Sequence, residues 1–300
     1  MIRIMNRKII AFILVTAVVA AGIVLILVRN KDAFLPGETS AAPSIVTAVT
    51  SVSETDETVP EDPLAAYRAM SLNSETDARA VIEAFAADNG LSVTDYPDDI
   101  IGLLGRNPDA LEYVLNFPLH EAEEEPDIDL SGEVNRFEVP RLYQWDARWG
   151  YKIYGSGPMG LTGCGPTCLS MVAIHLLGNT DMNPAWMAEY AMNNGYYDYD
   201  GNSGTYWTLM TDGAFGLGID VTEIPTDEDR MIRNLEVGNP IIAIVGEGEF
   251  TDNGHFIVIT GYEDGYFTVN DPNSYTRSDR LWTFDELEEE IITCWVYRIL

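Results

Sequence analysis

The chain of 300 residues carries a formal net charge of −31 at pH 7, with 48 acidic against 17 basic residues. The first 31 residues hold five basic residues and no acidic ones, so the remainder carries −36. This balance excludes a basic surface for nucleic acid or anionic lipids and favours solubility outside the cell, with attraction of cationic peptides as a second interpretation.

The N-terminus has the pattern of a membrane anchor. Residues 1–8 include three basic side chains, and residues 9–28 form an apolar run without a charge. About 20 apolar residues span a bilayer core, and the run is longer than the apolar core of a usual signal peptide. The sequence therefore predicts an uncleaved transmembrane signal anchor at residues 9–28, with cleavage as the alternative. The positive-inside rule places residues 1–8 in the cytoplasm and the bulk of the chain outside the cell membrane.

The next segment differs sharply in composition. Residues 29–62 are rich in Thr, Ser, Ala, Pro and Glu and have few large apolar side chains. Such a segment cannot bury enough apolar surface to order itself. It predicts a disordered stalk that holds the folded part away from the membrane.

A small helical region is predicted over residues 63–130. Ser74 can cap a helix with Asp77 three positions later, apolar residues then recur at helical spacing, and Gly90 ends the pattern. Shorter helices are expected at residues 98–104 and 108–116, followed by an acidic linker. No residue here has a chemical signature. The region is interpreted as a structural annex, with a prodomain or a ligand-recognition unit as alternatives.

A cysteine begins the long apolar run at residues 160–179, GLTGCGPTCLSMVAIHLLGN. Cys164 precedes a predicted helix that Gly178 ends, so its thiol is expected at a helix N-terminus. The free N–H groups and the dipole of the first turn favour a thiolate there. Gly163 and Gly165 leave room around the sulfur and are candidate cleft residues. The alternative is a buried cysteine in a core helix.

The segment between this helix and residue 254 predicts further helices and strands, including one helix through residues 203–215. The glycine-containing loop at residues 246–253 leads into Gly254 and is a candidate wall of a substrate cleft. Trp207 and the tyrosines of residues 196–199 are candidates to line the same cleft. Core packing is the alternative for these aromatic side chains.

A hairpin is predicted from His255 to Asp271, because Asp264 and Gly265 separate two β-rich runs. The pairing returns Asp271, at the end of the second strand, to the side of His255, at the start of the first. Together with Cys164 these residues form a candidate nucleophile, base and orienting group.

The remaining cysteines and histidines do not predict a metal site. Cys168 lies one helical turn after Cys164, and Cys294 lies in a C-terminal apolar strand. Both are interpreted as buried thiols, with a disulfide between them as the alternative. His120 and His175 lie in unrelated segments, and no clustered Cys/His spacing occurs. No metal and no cofactor are therefore predicted.

Four segments in order carry a family resemblance. They are YQWDARWG at residues 143–150, GLTGCGPTCLSMV at 160–172, GHFIVITGY at 254–262 and VNDPNS at 269–274. Together they resemble the papain-like cysteine peptidases of the bacteriocin-leader-processing type, and more the stand-alone relatives in bacterial surface proteins than the transporter-fused ones. The resemblance implies an α+β, papain-like two-lobed fold over residues 131–300, with a helical lobe carrying the cysteine and an antiparallel sheet carrying the histidine and aspartate.

The resemblance also implies residue roles. Cys164 would be the nucleophile, His255 the general base and acid, Asp271 the residue that holds the imidazole, and Gln144 a side-chain donor to the oxyanion. Gln144 precedes Cys164 by 20 residues. A loop at residues 152–162 is therefore expected to bulge out between them.

The resulting prediction is a monomeric, membrane-anchored, extracytoplasmic thiol peptidase. It would cleave peptide or protein substrates through a Cys-His-Asp triad and an acyl-enzyme intermediate. One alternative is a papain-like acyltransferase, which differs only in the acceptor. The other is an inactive surface module that uses the cleft or the helical region to bind a partner.

Overall fold

The computed structural model describes residues 62–120, 127–199 and 204–300. The predicted signal anchor at residues 9–28, and the predicted stalk up to residue 61, lie outside the described residues. No helix within the described ranges has both the length and the apolarity needed to cross a membrane.

Residues 62–120, called the helical region below, form four α-helices, of which the sequence predicts all but the first. They are α1 (Ala65–Arg68), α2 (Glu75–Asn89), α3 (Asp98–Arg106) and α4 (Leu111–Asn116), with 3₁₀ turns at Val93–Asp95, Pro108–Ala110 and Phe117–Leu119. The Ser74 side chain accepts the Asp77 N–H (3.1 Å) at the start of α2, and Gly90, with a φ of 71°, ends that helix. Trp145, from the segment that follows, packs into the apolar core of this region.

The other described residues place helices on both faces of an antiparallel sheet. The helices are α5 (Met159–Thr162), α6 (Cys164–Leu177), α7 (Pro184–Asn193), α8 (Asp212–Gly216), α9 (Glu228–Leu235), α10 (Tyr275–Asp279) and α11 (Phe284–Glu290), with a 3₁₀ turn at Trp207–Leu209. The strands are β1 (Ile153–Tyr154), β2 (Gly157–Pro158), β3 (Tyr197–Asp198), β4 (Gly204–Thr205), β5 (Ile219–Ile224), β6 (Ile241–Val245), β7 (His255–Glu263), β8 (Tyr266–Asn270), β9 (Leu281–Trp282) and β10 (Ile291–Ile299). Six of them form one sheet in the order β5-β10-β6-β7-β8-β9. The predicted mixture of helices with an antiparallel sheet is confirmed.

Burial of both sheet faces explains the unbroken apolar sequence of β6. Ile242 and Ile244 face the core that contains α6, whereas Ile241, Ala243 and Val245 face the core that contains α9. Side chains alternate along a strand, so a strand covered on both sides needs apolar residues at every position. The sheet therefore holds α6, and with it Cys164, against the start of β7.

The single helix expected at residues 203–215 is wrong. Gly204 and Thr205 form β4, which pairs with β3, and Gly204 has a φ of 82° that a helix does not allow. The 3₁₀ turn at Trp207–Leu209 and the short helix α8 follow as separate elements. This break turns Trp207 outward, where it is 46% exposed.

Candidate active site

Cys164 is the first residue of α6 and is partly exposed. Its sulfur lies within hydrogen-bonding reach of the His255 side chain and of the N–H groups of Phe256 and Gly165. Burial alone would raise the pKa of the thiol, but the hydrogen bond and charge of His255, with these N–H groups, lower the pKa of Cys164 below its ordinary value. The arrangement favours a thiolate at the helix N-terminus.

His255 is the first residue of β7, where it pairs with Val245 of β6, and it is 6% exposed. Its Nε2 lies 2.8 Å from Asp271 Oδ1, which leaves Nδ1 as the ring nitrogen for Cys164. Burial alone would lower the pKa of His255, but Asp271 and Cys164 together raise the pKa to about 9. The imidazole is therefore held as an imidazolium beside the sulfur at neutral pH.

Asp271 follows β8 directly and is 1% exposed. Its Oδ1 also accepts the Asn273 N–H (2.7 Å), and its Oδ2 accepts the Nε–H of Arg277 (2.5 Å). Burial would raise the pKa of Asp271, but His255 and Arg277 hold the pKa below its ordinary value. Asp271 is thus a buried carboxylate with a cation on each oxygen.

Gln144 is buried and lines the same cavity as Cys164 and His255. Its N–H donates to Pro272 O (2.7 Å), which ties it to the residue after Asp271, and its Nε2 donates to Gly160 O (2.9 Å). An amide nitrogen carries two hydrogens, so one remains for a ligand in the cavity. The segment expected to bulge out between Gln144 and Cys164 forms the β1–β2 hairpin and α5. Gly160, which accepts the hydrogen bond from Gln144 Nε2, lies in α5.

Two cavities meet at Cys164 and form one cleft. The first, of about 520 Å3, is lined by Cys164, Gln144, His255, Arg277, residues 248–254 and, from the helical region, Leu103 and Arg106. The second, of about 980 Å3, is lined mainly by apolar and aromatic side chains, including Leu161, Tyr206, Trp207, Ile244, Phe256 and Ile292. Leu161, Cys164, Asn253 and Gly254 belong to both. Cys164 therefore lies where the two cavities adjoin.

Comparison with known families agrees with this chemistry. A family model described as "Peptidase_C39 like family" matches residues 136–298. The chain belongs to this C39-like family. It is a cysteine peptidase, and the family predicted from the four sequence motifs is confirmed. Residues 136–298 are called the C39-like domain below.

Three solved structures are similar to about half of this chain. The peptidase domain of Streptococcus ComA, described as a bi-functional ABC transporter involved in a quorum sensing pathway, is 18% identical with a TM-score of 0.38, over 50% of this chain and 99% of that one. A C39-like peptidase from Bacillus anthracis is 15% identical with a TM-score of 0.38, over 54% and 94%. A double glycine motif protease from an AMS/PCAT transporter, in complex with the leader peptide, is 15% identical with a TM-score of 0.32, over 51% and 96%. No curated protein matches the chain.

The cleft residues expected in the C39-like domain divide into two pairs. Trp207 and Gly254 line the cleft, whereas Gly163 and Gly165 line neither cavity. A Cβ at Gly163 would lie 2.6 Å from Met159 O, and a Cβ at Gly165 would lie 2.6 Å from Thr205 Oγ1. These two glycines therefore allow Met159 and Thr205 to pack closely beside Cys164.

The cavities and the burial of side chains also test the cleft roles predicted for one loop and for the tyrosines of residues 196–199. Of the loop predicted at residues 246–253, residues 248–253 line the first cavity, whereas Gly246 and Glu247 do not. The tyrosines of residues 196–199 line neither cavity, and Tyr197 is buried with its ring edge against Tyr154. Tyr197 therefore fits the alternative of core packing, whereas Tyr199 is exposed at the surface.

The cysteines of the C39-like domain differ in burial and in the direction of their pKa shifts. All three are free, and both Cys168 and Cys294 are buried. Burial raises the pKa of Cys168 well above its ordinary value and that of Cys294 to about 12. Within the described residues, no group of three His, Cys, Asp or Glu side chains is placed to hold a metal ion.

Arg277 is the site residue that the sequence did not predict. It lies on α10, where Ser274 accepts its N–H (3.1 Å), and its side chain is 19% exposed. Charge balance could have indicated a basic residue here, because a buried aspartate next to a histidine and a thiolate needs a further cation nearby. Arg277 follows Asp271 by six residues.

Proposed function

We propose that Cys164, His255 and Asp271 are the catalytic triad of this C39-like peptidase and that the enzyme cleaves peptide bonds through an acyl-enzyme intermediate. The observation that carries the proposal is the chain of contacts from the Cys164 sulfur through the His255 ring to Asp271, in which His255 Nε2 lies 2.8 Å from Asp271 Oδ1. The two adjoining cavities that share Cys164 support a peptide or protein as the substrate.

The steps follow from the atoms present. The Cys164 thiolate attacks the carbonyl carbon, and the Cys164 N–H with the second Nε2 hydrogen of Gln144 stabilises the oxyanion. The carbon–nitrogen bond breaks as imidazolium Nδ1 donates its proton to the leaving amine, which leaves a thioester. His255 then takes a proton from water, the water oxygen attacks the thioester, and the acid product leaves as thiolate and imidazolium are restored. Asp271 holds the ring throughout.

The test is the rate at which iodoacetamide alkylates each cysteine of the full chain as a function of pH. Cys164 should react much faster than Cys168 and Cys294 at pH 7, because its pKa is lowered and theirs are raised. His255→Ala should remove this advantage. The triad is wrong if Cys164 titrates like an ordinary thiol, with a pKa of about 8.5, and is indifferent to His255.

Peptide cleavage should depend on pH differently from alkylation. The raised pKa of His255 means that the imidazolium is fully present below its ordinary pKa of about 6.5 and is lost as the pH rises through about 9. Cleavage needs that proton for the leaving amine, so its rate should fall above about pH 9, whereas alkylation needs only the thiolate and should not fall. Parallel profiles would contradict the role of His255 as the acid.

We also propose that residues 9–28 anchor the chain in the cell membrane, with residues 1–8 in the cytoplasm. Residues 29–62 would be the stalk, residues 63–130 the helical unit, and residues 131–300 an extracytoplasmic peptidase domain. The uncharged run of residues 9–28 and the charge of −36 on the chain beyond residue 31 support this arrangement. A membrane-impermeant amine reagent should label the chain on intact cells, and labelling that requires lysis would refute the orientation.

A further inference from the structure

The helical region contacts the segment that carries Asp271, although it lies outside the C39-like domain. The Asp109 carboxylate accepts three hydrogen bonds from that segment. Its Oδ2 accepts from Ser274 Oγ (2.8 Å) and from the Thr276 N–H (3.0 Å), and its Oδ1 accepts from Thr276 Oγ1 (3.3 Å). A carboxylate that accepts several hydrogen bonds fixes its donors more firmly than a neutral acceptor does.

A second contact lies beside the first. Asn107 is 3% exposed, and its Nδ2 donates to the main-chain oxygen of Asn273 and to Asn273 Oδ1 (3.1 Å). The same main-chain oxygen accepts from Trp145 Nε1 (3.0 Å). The Asn107 side chain also accepts the Asp109 N–H (3.2 Å), so the turn at residues 107–109 is itself fixed.

The residues that this turn contacts are those that orient Asp271. The Asn273 N–H donates to Asp271 Oδ1, the oxygen that also meets His255. Ser274 caps α10, the helix whose Arg277 donates to Asp271 Oδ2. Asp109 therefore contacts the capping residue of α10, and Asn107 contacts the residue that donates to the other oxygen.

We propose that residues 107–109 position Asp271, and that the helical region is a permanent part of the working peptidase. The inference rests on the proposed triad. Leu103 and Arg106 support it, because they line the cleft beside Cys164 and His255 while leaving a cavity of about 520 Å3 open. A prodomain that blocks the enzyme would occupy this space, whereas here the hydrogen bonds go to Asn273, Ser274 and Thr276, in the segment that follows Asp271. Asp109 and Asn107 are thus positioning residues for Asp271.

The test compares Asp109→Asn with Glu112→Gln in the full chain. Asp109→Asn keeps the size of the side chain but loses its charge and one acceptor oxygen. Looser contacts at Ser274 and Thr276 should loosen α10 and the bond from Arg277 to Asp271, so the pH profile of Cys164 alkylation should move to higher pH. A shift of one unit corresponds to about tenfold less thiolate below the pKa. Glu112→Gln loses a surface ion pair with Arg68 in the same region and should leave the profile unchanged.

A second variant keeps the test decisive if Asp109→Asn folds poorly. Thr276→Val removes one hydrogen bond to Asp109 from the other side and should shift the profile in the same direction by less. The double variant should shift the pH profile of Cys164 alkylation no further than Asp109→Asn alone does, because both changes act on the same contact between Asp109 and Thr276.

The inference and the triad fail in different ways. If wild-type Cys164 reacts at low pH and His255→Ala abolishes this, but Asp109→Asn lowers only the melting temperature, the helical region is a structural annex and the inference is overturned. The same holds if mass spectrometry shows that the active form lacks residues 62–120. If wild-type Cys164 itself titrates as an ordinary thiol, the triad fails.

Discussion

Cys164→Ala is expected to lower the rate of peptide cleavage by about 10⁵-fold without unfolding the protein, because removal of the nucleophile of a triad leaves only binding and oxyanion stabilisation. Cys164 is the first residue of α6 and is partly exposed, and alanine is a good helix former at such a position. The measurement is cleavage of a peptide mixture followed by mass spectrometry, with the melting temperature determined on the same sample.

Cys168→Ala is the matched control, one helical turn further along α6. Cys168 is fully buried in the core between α6 and the sheet. Its truncation should cost about 1 kcal/mol of stability and leave the activity per folded molecule intact. The two variants therefore have opposite signatures. If Cys164→Ala cleaves at more than about one tenth of the wild-type rate, the activation barrier has changed by less than about 1.4 kcal/mol. That result would show that Cys164 is not the nucleophile.

The same assay distinguishes hydrolysis from acyl transfer. Hydrolysis of the thioester gives two fragments whose summed mass exceeds that of the substrate by one water. Transfer to an amine gives a fragment that carries the mass of the amine instead. Because both reactions share the steps up to the thioester, Cys164→Ala should abolish both, and the product masses alone decide between them.

Two elements of the candidate site could be predicted because a local sequence pattern determines each of them. The helix at Cys164 and the hairpin from His255 to Asp271 follow from apolar runs and from one turn, and both are confirmed. The hairpin contains a register shift between Ile259 and Gly261, so Val258 pairs with Asn270. Asp271 therefore reaches His255 diagonally, across a distance that side chains on neighbouring strands can bridge.

Other parts of the site depend on contacts that no local pattern encodes. Ser274 and Asp109 are 165 positions apart in the chain, and each is an ordinary turn or capping residue in its own segment. Arg277 has no periodicity to mark it, since α10 is only five residues long. Gly163 and Gly165 are predicted to leave room around the sulfur. Their close approach to Met159 and Thr205 depends on packing that the local sequence does not encode.

Arg277 balances the charge of the site. With the thiolate and imidazolium formed, Cys164 and Asp271 are negative while His255 and Arg277 are positive, so the group of four is neutral. Asp271 is fully buried, and Arg277 has an Nη2 without a hydrogen-bond partner among the described residues. Removal of Arg277 would leave one net negative charge in a buried site. Such a site takes up a proton more readily, so the pKa values of Cys164, Asp271 and His255 should all rise.

Arg277→Met is therefore expected to cost about 3 kcal/mol of stability, the lower end for breaking a buried ion pair. It should also move Cys164 alkylation to higher pH, and Arg277→Lys should restore part of the shift because it keeps the charge without the Nε–H geometry. Arg298→Met is the control, since Arg298 pairs with Asp220 at the surface. This substitution should cost below about 1 kcal/mol of stability and leave the pH profile of alkylation unchanged.

In an Asp271→Asn background Arg277→Met should cost much less stability, because the partner of Arg277 is already neutral. Equal costs in both backgrounds would show that Arg277 acts by packing alone.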